Sequence, residues 1–286
     1  MENFEKEKAS RPGRSWLFWL IIPLVIGILL SFLIQRPMIG VIYFDDAIYS
    51  YTAHDLTSQI IYAREHPEIK AVVFVMNSPG GTVSDTESVY RELLLLRQTK
   101  PVVTVVEGMA ASGGYYLASG TDYIFAKASS EVGNIGVIGY LPDSPMVLET
   151  VYSTGPYKMW GMPREAFVRE LEMLKQGFLQ AVLLGRKDRL KMSPEEVLRG
   201  QIFPGGDALR LGLIDEFGSV SNGYEKAASL ARISHYKTLP LRDYVVSAQP
   251  TPAPFFQGTS SGLISSYPTK PGIYMLYIQP GEERLP

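Results

Sequence analysis

PVVTVVEGMAASGGYY, residues 101–116, is the stretch on which the reading of the whole chain turns. Pro101–Val106 is a β-branched run of the kind that forms a buried strand. Gly108 to Gly114 is a turn of small residues containing Ser112, and Leu117–Ser119 can continue as helix. A serine at a strand-to-helix turn, among Gly and Ala, stands where a nucleophile needs to stand. Small neighbours let a carbonyl approach, and a helix start turns N–H groups and a favourable dipole toward developing negative charge. The same stretch also reads as a close-packed turn and nothing more. Any chemistry must therefore be completed elsewhere in the chain.

Working outward, the same grammar recurs on the N-terminal side. Pro37–Tyr43 reads as a strand and Asp55–Glu65 as an amphipathic helix, followed by Ile69–Met76, an apolar run suited to a strand covered on both faces. It ends in Asn77–Ser78–Pro79–Gly80–Gly81, a second glycine turn, and Ser84–Arg97 reads as the next helix. Strand, turn and helix in this order give βαβ units and a mainly parallel sheet. Ligands in such sheets collect beyond the carboxyl ends of the strands, so the two glycine turns can face one cleft.

On the C-terminal side, Tyr123–Phe125 reads as a strand, Val132–Leu141 as a Gly-rich extended stretch and Met146–Tyr152 as a further strand. A long helix is expected from about Pro163 to Leu190, with Phe167, Leu171, Leu174, Phe178, Ala181 and Val182 near helical spacing. Ser193–Pro194–Glu195–Glu196 is a helix start. A turn and short helix over Gly205–Ile214 and a helix over Ser219–Ile233 follow. From Ser247 to Pro271 the composition shifts to Pro, Ser, Gly and Thr, as in a linker, and Gly272–Ile278 is a strand-like apolar segment that can add to a sheet edge.

Trp16–Ile34 carries no charge and is long enough, at a helical rise of about 1.5 Å per residue, to approach the thickness of a bilayer core. Lys6, Lys8, Arg11 and Arg14 precede it and Arg36 follows closely, which keeps the N-terminus cytoplasmic and exports the bulk of the chain. The reading is an uncleaved signal anchor, with a cleaved signal peptide as the alternative. The 286 residues suffice for one well-packed domain of roughly 200 residues plus appendages. A formal net charge of -2 gives no sign of a nucleic-acid partner, and the lack of cysteine excludes disulfides, a cysteine nucleophile and thiolate metal sites.

A serine nucleophile needs a base. Of the histidines, His54, His66 and His235, none ends a strand, and each reads as a surface or structural residue. No histidine-carboxylate cluster suggests a metal, and no cofactor is implied. A lysine accepts a proton only when neutral, a form that apolar surroundings favour. Lys158 sits in Tyr157–Lys158–Met159–Trp160, among large apolar residues, although a lysine in a loop is ordinarily solvated. Ser234–His235–Tyr236–Lys237 has the spacing of another serine–lysine class but lacks a strand-end turn.

Several motifs then occur in one order: Asn77–Ser78–Pro79–Gly80–Gly81, Met109–Tyr116, Gly133–Asn134–Ile135–Gly136–Val137, Gly155–Pro156–Tyr157–Lys158 with Pro163–Arg164, and Gly212–Leu213–Ile214–Asp215 before Phe217–Gly218. Together they resemble the signal peptide peptidase A (protease IV) family of membrane-bound serine peptidases, over about residues 38–232. The resemblance implies an α/β fold of the crotonase and Clp-protease type behind an N-terminal transmembrane helix. It implies Ser112 as nucleophile, Lys158 as general base, and backbone N–H groups of Gly81 and Gly113 as the oxyanion hole. It further implies a homo-oligomeric ring acting on short or unfolded peptides at the membrane. Where the family reads Ser, this chain has Asn134, whose side-chain oxygen could accept from the lysine and position it. The expected organisation is a cytoplasmic N-terminus (1–14), a transmembrane anchor (15–35), an extracytoplasmic serine peptidase domain (37–246) and a linker with C-terminal tail (247–286). The alternatives in view are a peptidase cutting the tail of an integral membrane protein, a crotonase-type lyase acting on coenzyme A thioesters, and a non-catalytic assembly or binding protein of the same fold.

Overall fold

Apolar residues in both alternations of a strand force both of its faces to be covered, and the central strands here obey that rule. The computed structural model describes residues 19–27, 36–140, 154–155, 157–158 and 161–245, and the backbone of 273–276. The chain divides into two units, 1–36 and 37–286. Of the first, residues 19–27 are helical, with Trp19, Leu20 and Leu24 exposed. Among the described residues no helix is long and apolar enough to cross a membrane. The expected span runs beyond them on both sides, at 16–18 and 28–34.

The second unit starts with β1 (Met38–Asp45), α1 (Ser50–Glu65), β2 (Ile69–Ser78), the short β3 (Gly80–Thr82) and α2 (Val83–Arg97). Next come β4 (Val102–Ala111), α3 (Gly113–Ser119), β5 (Tyr123–Ala126), β6 (Glu131–Gly133) and β7 (Ile138–Gly139). The long α4 (Arg164–Arg186), α5 (Pro194–Val197), β8 (Ile202–Pro204), α6 (Gly205–Arg210) and β9 (Glu216–Phe217) follow. The order ends with α7 (Val220–Ala231), β10 (Lys237–Pro240), α8 (Arg242–Val245) and β11 (Ile273–Leu276). The main sheet runs β10-β1-β2-β4-β5-β9, all parallel, with β6 pairing parallel to the end of β4 and antiparallel to β8.

Ile42, Phe74, Met76, Val102 and Val106 pack on one side with Leu56 and Ile60 of α1 and Val89, Leu93 and Leu96 of α2. Val41, Val73, Val75, Val103 and Val105 face the other side, against Ala227 and Ala228 of α7. There Gly223 lets α7 approach, since a Cβ would come 2.5 Å from a Val105 methyl. Each fully buried Val, Leu, Ile, Phe or Met among these stabilises the fold by about 1.5–3 kcal/mol.

The expected elements that fall wholly within the described residues of the second unit are present with shifted ends. α1 begins at Ser50 rather than Asp55, because Thr52 Oγ1 accepts from the Tyr49 N–H at 2.8 Å and caps the helix without any apolar signal. β4 does not stop at Val106 but continues to Ala111, because β6 pairs with Met109–Ala111. The expected strand 146–152 lies outside the described residues. β8 and β10 were not expected as strands. β10 joins the edge of β1, with Met38 opposite Lys237. The apolar segment near the C-terminus does add to a sheet: β11 lies antiparallel between β3 and β7.

One buried charge cluster ties these layers together. Asp215 accepts from Arg186 at 2.9 and 2.8 Å, from Arg189 at 2.9 Å and from the Ile124 N–H at 2.8 Å. Burial alone would push the Asp215 carboxyl up, but the Arg186 bonds and charge, the Ile124 amide and Arg189 together hold it below the usual carboxylate range. Its stabilising contribution is complete above the ordinary carboxylate range and is lost as pH falls through the depressed one. Arg186→Met leaves a buried carboxylate short of its main partner and should cost about 3–5 kcal/mol in urea unfolding at neutral pH. In Asp215→Asn the part of the acid destabilisation carried by this carboxyl, below about pH 4, should disappear. An Arg186→Met variant as stable as the wild type would show that the cluster does not hold the fold.

Candidate active site

β2 and β4 are neighbours in the parallel sheet, so their carboxyl ends, and the two glycine turns that follow, come to the same edge. Ser78 is paired with Ala110. A Cβ on Gly114 would meet Ser78 O at 2.7 Å, so the turns touch through a position that only glycine fits. Asn77 braces this edge from outside: its Oδ1 accepts from the Met109 N–H at 2.9 Å and its Nδ2 donates to Asp45 Oδ1 at 2.6 Å, joining the ends of β1, β2 and β4. Nothing in the spacing of the Asn77–Gly81 motif foretold that brace.

Ser112 sits between β4 and α3 with φ 52 and ψ -121, and is 1% exposed. A non-glycine residue in this region costs of order 1–3 kcal/mol and persists only where neighbours impose it. The Ser112 N–H donates to Gly133 O at 2.9 Å and its carbonyl accepts from the Tyr116 N–H at 2.9 Å, so both sides of the elbow are held. Gly113 is the first residue of α3, where a helix leaves its N–H groups without intrahelical partners. Tyr115 and Tyr116 fix that helix from behind. Tyr115 Oη donates to Leu213 O at 2.9 Å, and Tyr116 packs on Tyr90 and Phe178. Burial, then the charge of Glu87, pushes the Tyr116 hydroxyl up to about 12, and burial raises Tyr115 further, so both stay neutral and serve as wedges.

Gly81 lies in β3 between two backbones. The Thr82 N–H donates to Ile48 O at 2.9 Å and Gly80 O accepts from the Ile48 N–H at 2.8 Å. Strand alternation therefore turns the N–H and C=O of Gly81 to the opposite edge, where Met275 of β11 is its partner. A Cβ at Gly81 would stand 1.9 Å from Ile48 O, so the position admits glycine alone. β7 forms the far wall, pairing Ile138 and Gly139 with Tyr274 and Ile273. β3 and β7 thus bound a lane one strand wide. Under β7, a Cβ on Gly139 would press on Phe167 and Leu171 of α4.

Asn134 follows Gly133 with φ 54, and its Nδ2 donates to Gly200 O at 2.8 Å. Lys158 lies exposed in a turn in which its own N–H donates to Gly155 O at 3.1 Å and the Gly161 N–H donates to Tyr157 O at 2.7 Å. The described contacts bring Ser112, Gly113, Asn134 and Gly81 to one edge of the sheet and do not carry Lys158 to them. Two of the histidines sit at the opposite, amino edge. His66 precedes β2, with Nδ1 2.8 Å from Tyr62 O, and His235 precedes β10, beside Ser234. His54 is exposed on α1. The Ser234–Lys237 spacing is thus also remote from the elbow.

Known proteins are similar in the same region. Residues 95–234 match the model of peptidase family S49, and residues 33–131 match that of Clp protease. Protease 4 of Salmonella typhi is 34% identical over 194 residues, covering 63% of this chain and 31% of that protein. Protease 4 of Haemophilus influenzae is 30% identical over 182 residues, 59% of this chain and 29% of that one. The chloroplastic serine protease SPPA of Arabidopsis thaliana is 31% identical over 204 residues, 66% of this chain and 30% of that one. The chain therefore spans less than a third of the length of these relatives. Its similarity to peptidase family S49 covers the elbow and the helix that supports it, and agrees with the likeness of its motifs to those of signal peptide peptidase A.

Proposed function

We propose that this chain is a membrane-anchored serine endopeptidase that cleaves short, unfolded apolar peptides, remnant signal peptides among them. The reading is carried by Ser112, a strained, buried serine at a strand-to-helix elbow beside a lane that accepts an extended strand. Ser112 Oγ would attack the scissile carbonyl carbon while Lys158 takes its proton. The tetrahedral oxyanion would be held by the N–H of Gly81, with Gly113 as a second donor. Collapse would expel the amine, which receives the proton from Lys158. Water, deprotonated by the same lysine, would then release the acyl group and restore Ser112. The Asn134 Oδ1 would accept from the Lys158 ammonium and orient it. The turn 155–161 would have to fold toward the elbow when peptide binds; apo geometry of such groups is often looser than that of the working complex.

The apolar run 16–34 and the basic residues before it support a single span with the peptidase domain outside the cytoplasm. A ring of several copies, with a chamber admitting only unfolded chains, follows from the resemblance to the Clp-protease fold. Cleavage of an integral membrane protein's tail uses the same groups and differs only in substrate. The exposed Lys158 favours a second reading, in which the fold binds peptides without cutting them.

Turnover of a fluorogenic apolar peptide from about pH 6 to pH 10 separates these. Ser112→Ala and Lys158→Ala should each lower kcat by at least about a hundredfold. Activity that survives Lys158→Ala would remove that residue as the base, and an inactive wild type would favour the binding reading. Deleting residues 250–286 empties the lane between β3 and β7 and should raise peptide turnover by lowering KM, provided that peptide uses the same lane. Identical KM with and without the tail would dissociate β11 from the substrate path.

A further inference from the structure

The strain at Ser112 must be balanced by a fixed partner, and the bond that meets it from outside its own helix is the one from its N–H to Gly133 O, 2.9 Å long. What fixes Gly133 O is therefore part of the elbow. Gly133 has φ +117, and a Cβ there would come 2.9 Å from Gln201 O. Asn134 comes next with φ 54, a second consecutive residue in the left-handed half of the map. Its N–H donates to Gln201 O at 2.7 Å and its Nδ2 donates to Gly200 O at 2.8 Å. Gly200 is itself held at φ +68. One residue thus makes two parallel bonds to the segment entering β8, and β8 pairs back on Gly133 through Ile202.

We propose that Asn134 is a positioning residue for Ser112: by clipping the Gly133 turn to Gly200 and Gln201 it aims the Gly133 carbonyl that holds the Ser112 N–H. Asparagine suits the place twice over. It tolerates the left-handed conformation better than other side chains, and its amide supplies a donor aimed back at a carbonyl. The inference rests on the reading of Ser112 as nucleophile. It differs from a role in orienting Lys158, which would use the Asn134 oxygen; the clip uses the nitrogen.

Asn134→Asp separates the two, because it keeps an acceptor for a lysine and replaces the donor that Gly200 O needs. In the full chain, the rate of Ser112 labelling by a fluorophosphonate probe, kcat and KM for a fluorogenic peptide, and the thermal midpoint should be measured together. Asn134→Asp and Asn134→Ala should label about tenfold more slowly and lose kcat to match, with KM within about twofold of wild type and a small shift in midpoint. Asn134→Gly, which keeps the backbone conformation and its N–H bond but not the side chain, should fall between Ala and wild type, and serves if Asp fails to fold. Wild-type labelling in Asn134→Asp or in Asn134→Gly beside a silent Ser112→Ala would overturn the clip alone, as would a rise in KM with kcat intact. Labelling that persists in Ser112→Ala would overturn the nucleophile and the clip together.

Discussion

Arg186 and Asp215 hold each other in the interior, and the elbow hangs on that pair. Arg186 is 1% exposed, ends α4, and also donates to Gly212 O at 2.8 Å, so the segment 212–215 is fastened to the helix end. Leu213 in that segment takes the Tyr115 hydroxyl, three residues past Ser112, and Gly185 beside Arg186 lies so close to Ser119 O that a Cβ would stand 1.9 Å away. α3 is therefore clamped at its start and at its end. Two buried charges are expensive to desolvate and return that cost only with full pairing, which four bonds to Asp215 provide. The motif Gly212–Asp215 earns its place in the sequence as the far anchor of the elbow helix rather than as part of any chemistry.

Strain at Ser112 and closeness at Gly114 are two sides of one constraint. The ends of β2 and β4 must meet with no side chain between them, and a polypeptide can turn away from such a meeting only through positive φ or through glycine. Side chains such as Asn77 and Asn134 act on the backbone and hold it still, which is what groups preorganised for developing charge require.

The parts legible in the sequence are those with strong local signals. The β-branched run before Ser112, the continuous apolar run of β2 and the small residues of both glycine turns lead to a parallel sheet with the turns at one edge, and the structure has it. β8 and β10 were illegible because Ile202–Pro204 and Lys237–Pro240 are short, end in proline, and become strands only by pairing with β6 and β1. The start of α1 was hidden because Thr52 caps it from within. Asn134 stands out in the sequence only as a departure from a family pattern; its two bonds to the 200–201 segment depend on a contact across more than sixty positions, which no spacing rule contains. Where Lys158 stands relative to the elbow is likewise a matter of tertiary arrangement.

β11 has a thermodynamic consequence of its own. A strand that belongs to the same molecule as its groove competes at an effective concentration fixed by its tether, on the order of millimolar for a short flexible one, and dilution does not lower it. Any peptide that used this lane would therefore have to bind well enough to outcompete a permanent neighbour, and weak binders would be screened out whatever their sequence. If the tail is anchored in the groove of an adjacent copy instead, the same arithmetic makes occupancy depend on assembly, and the screen relaxes as the copies come apart.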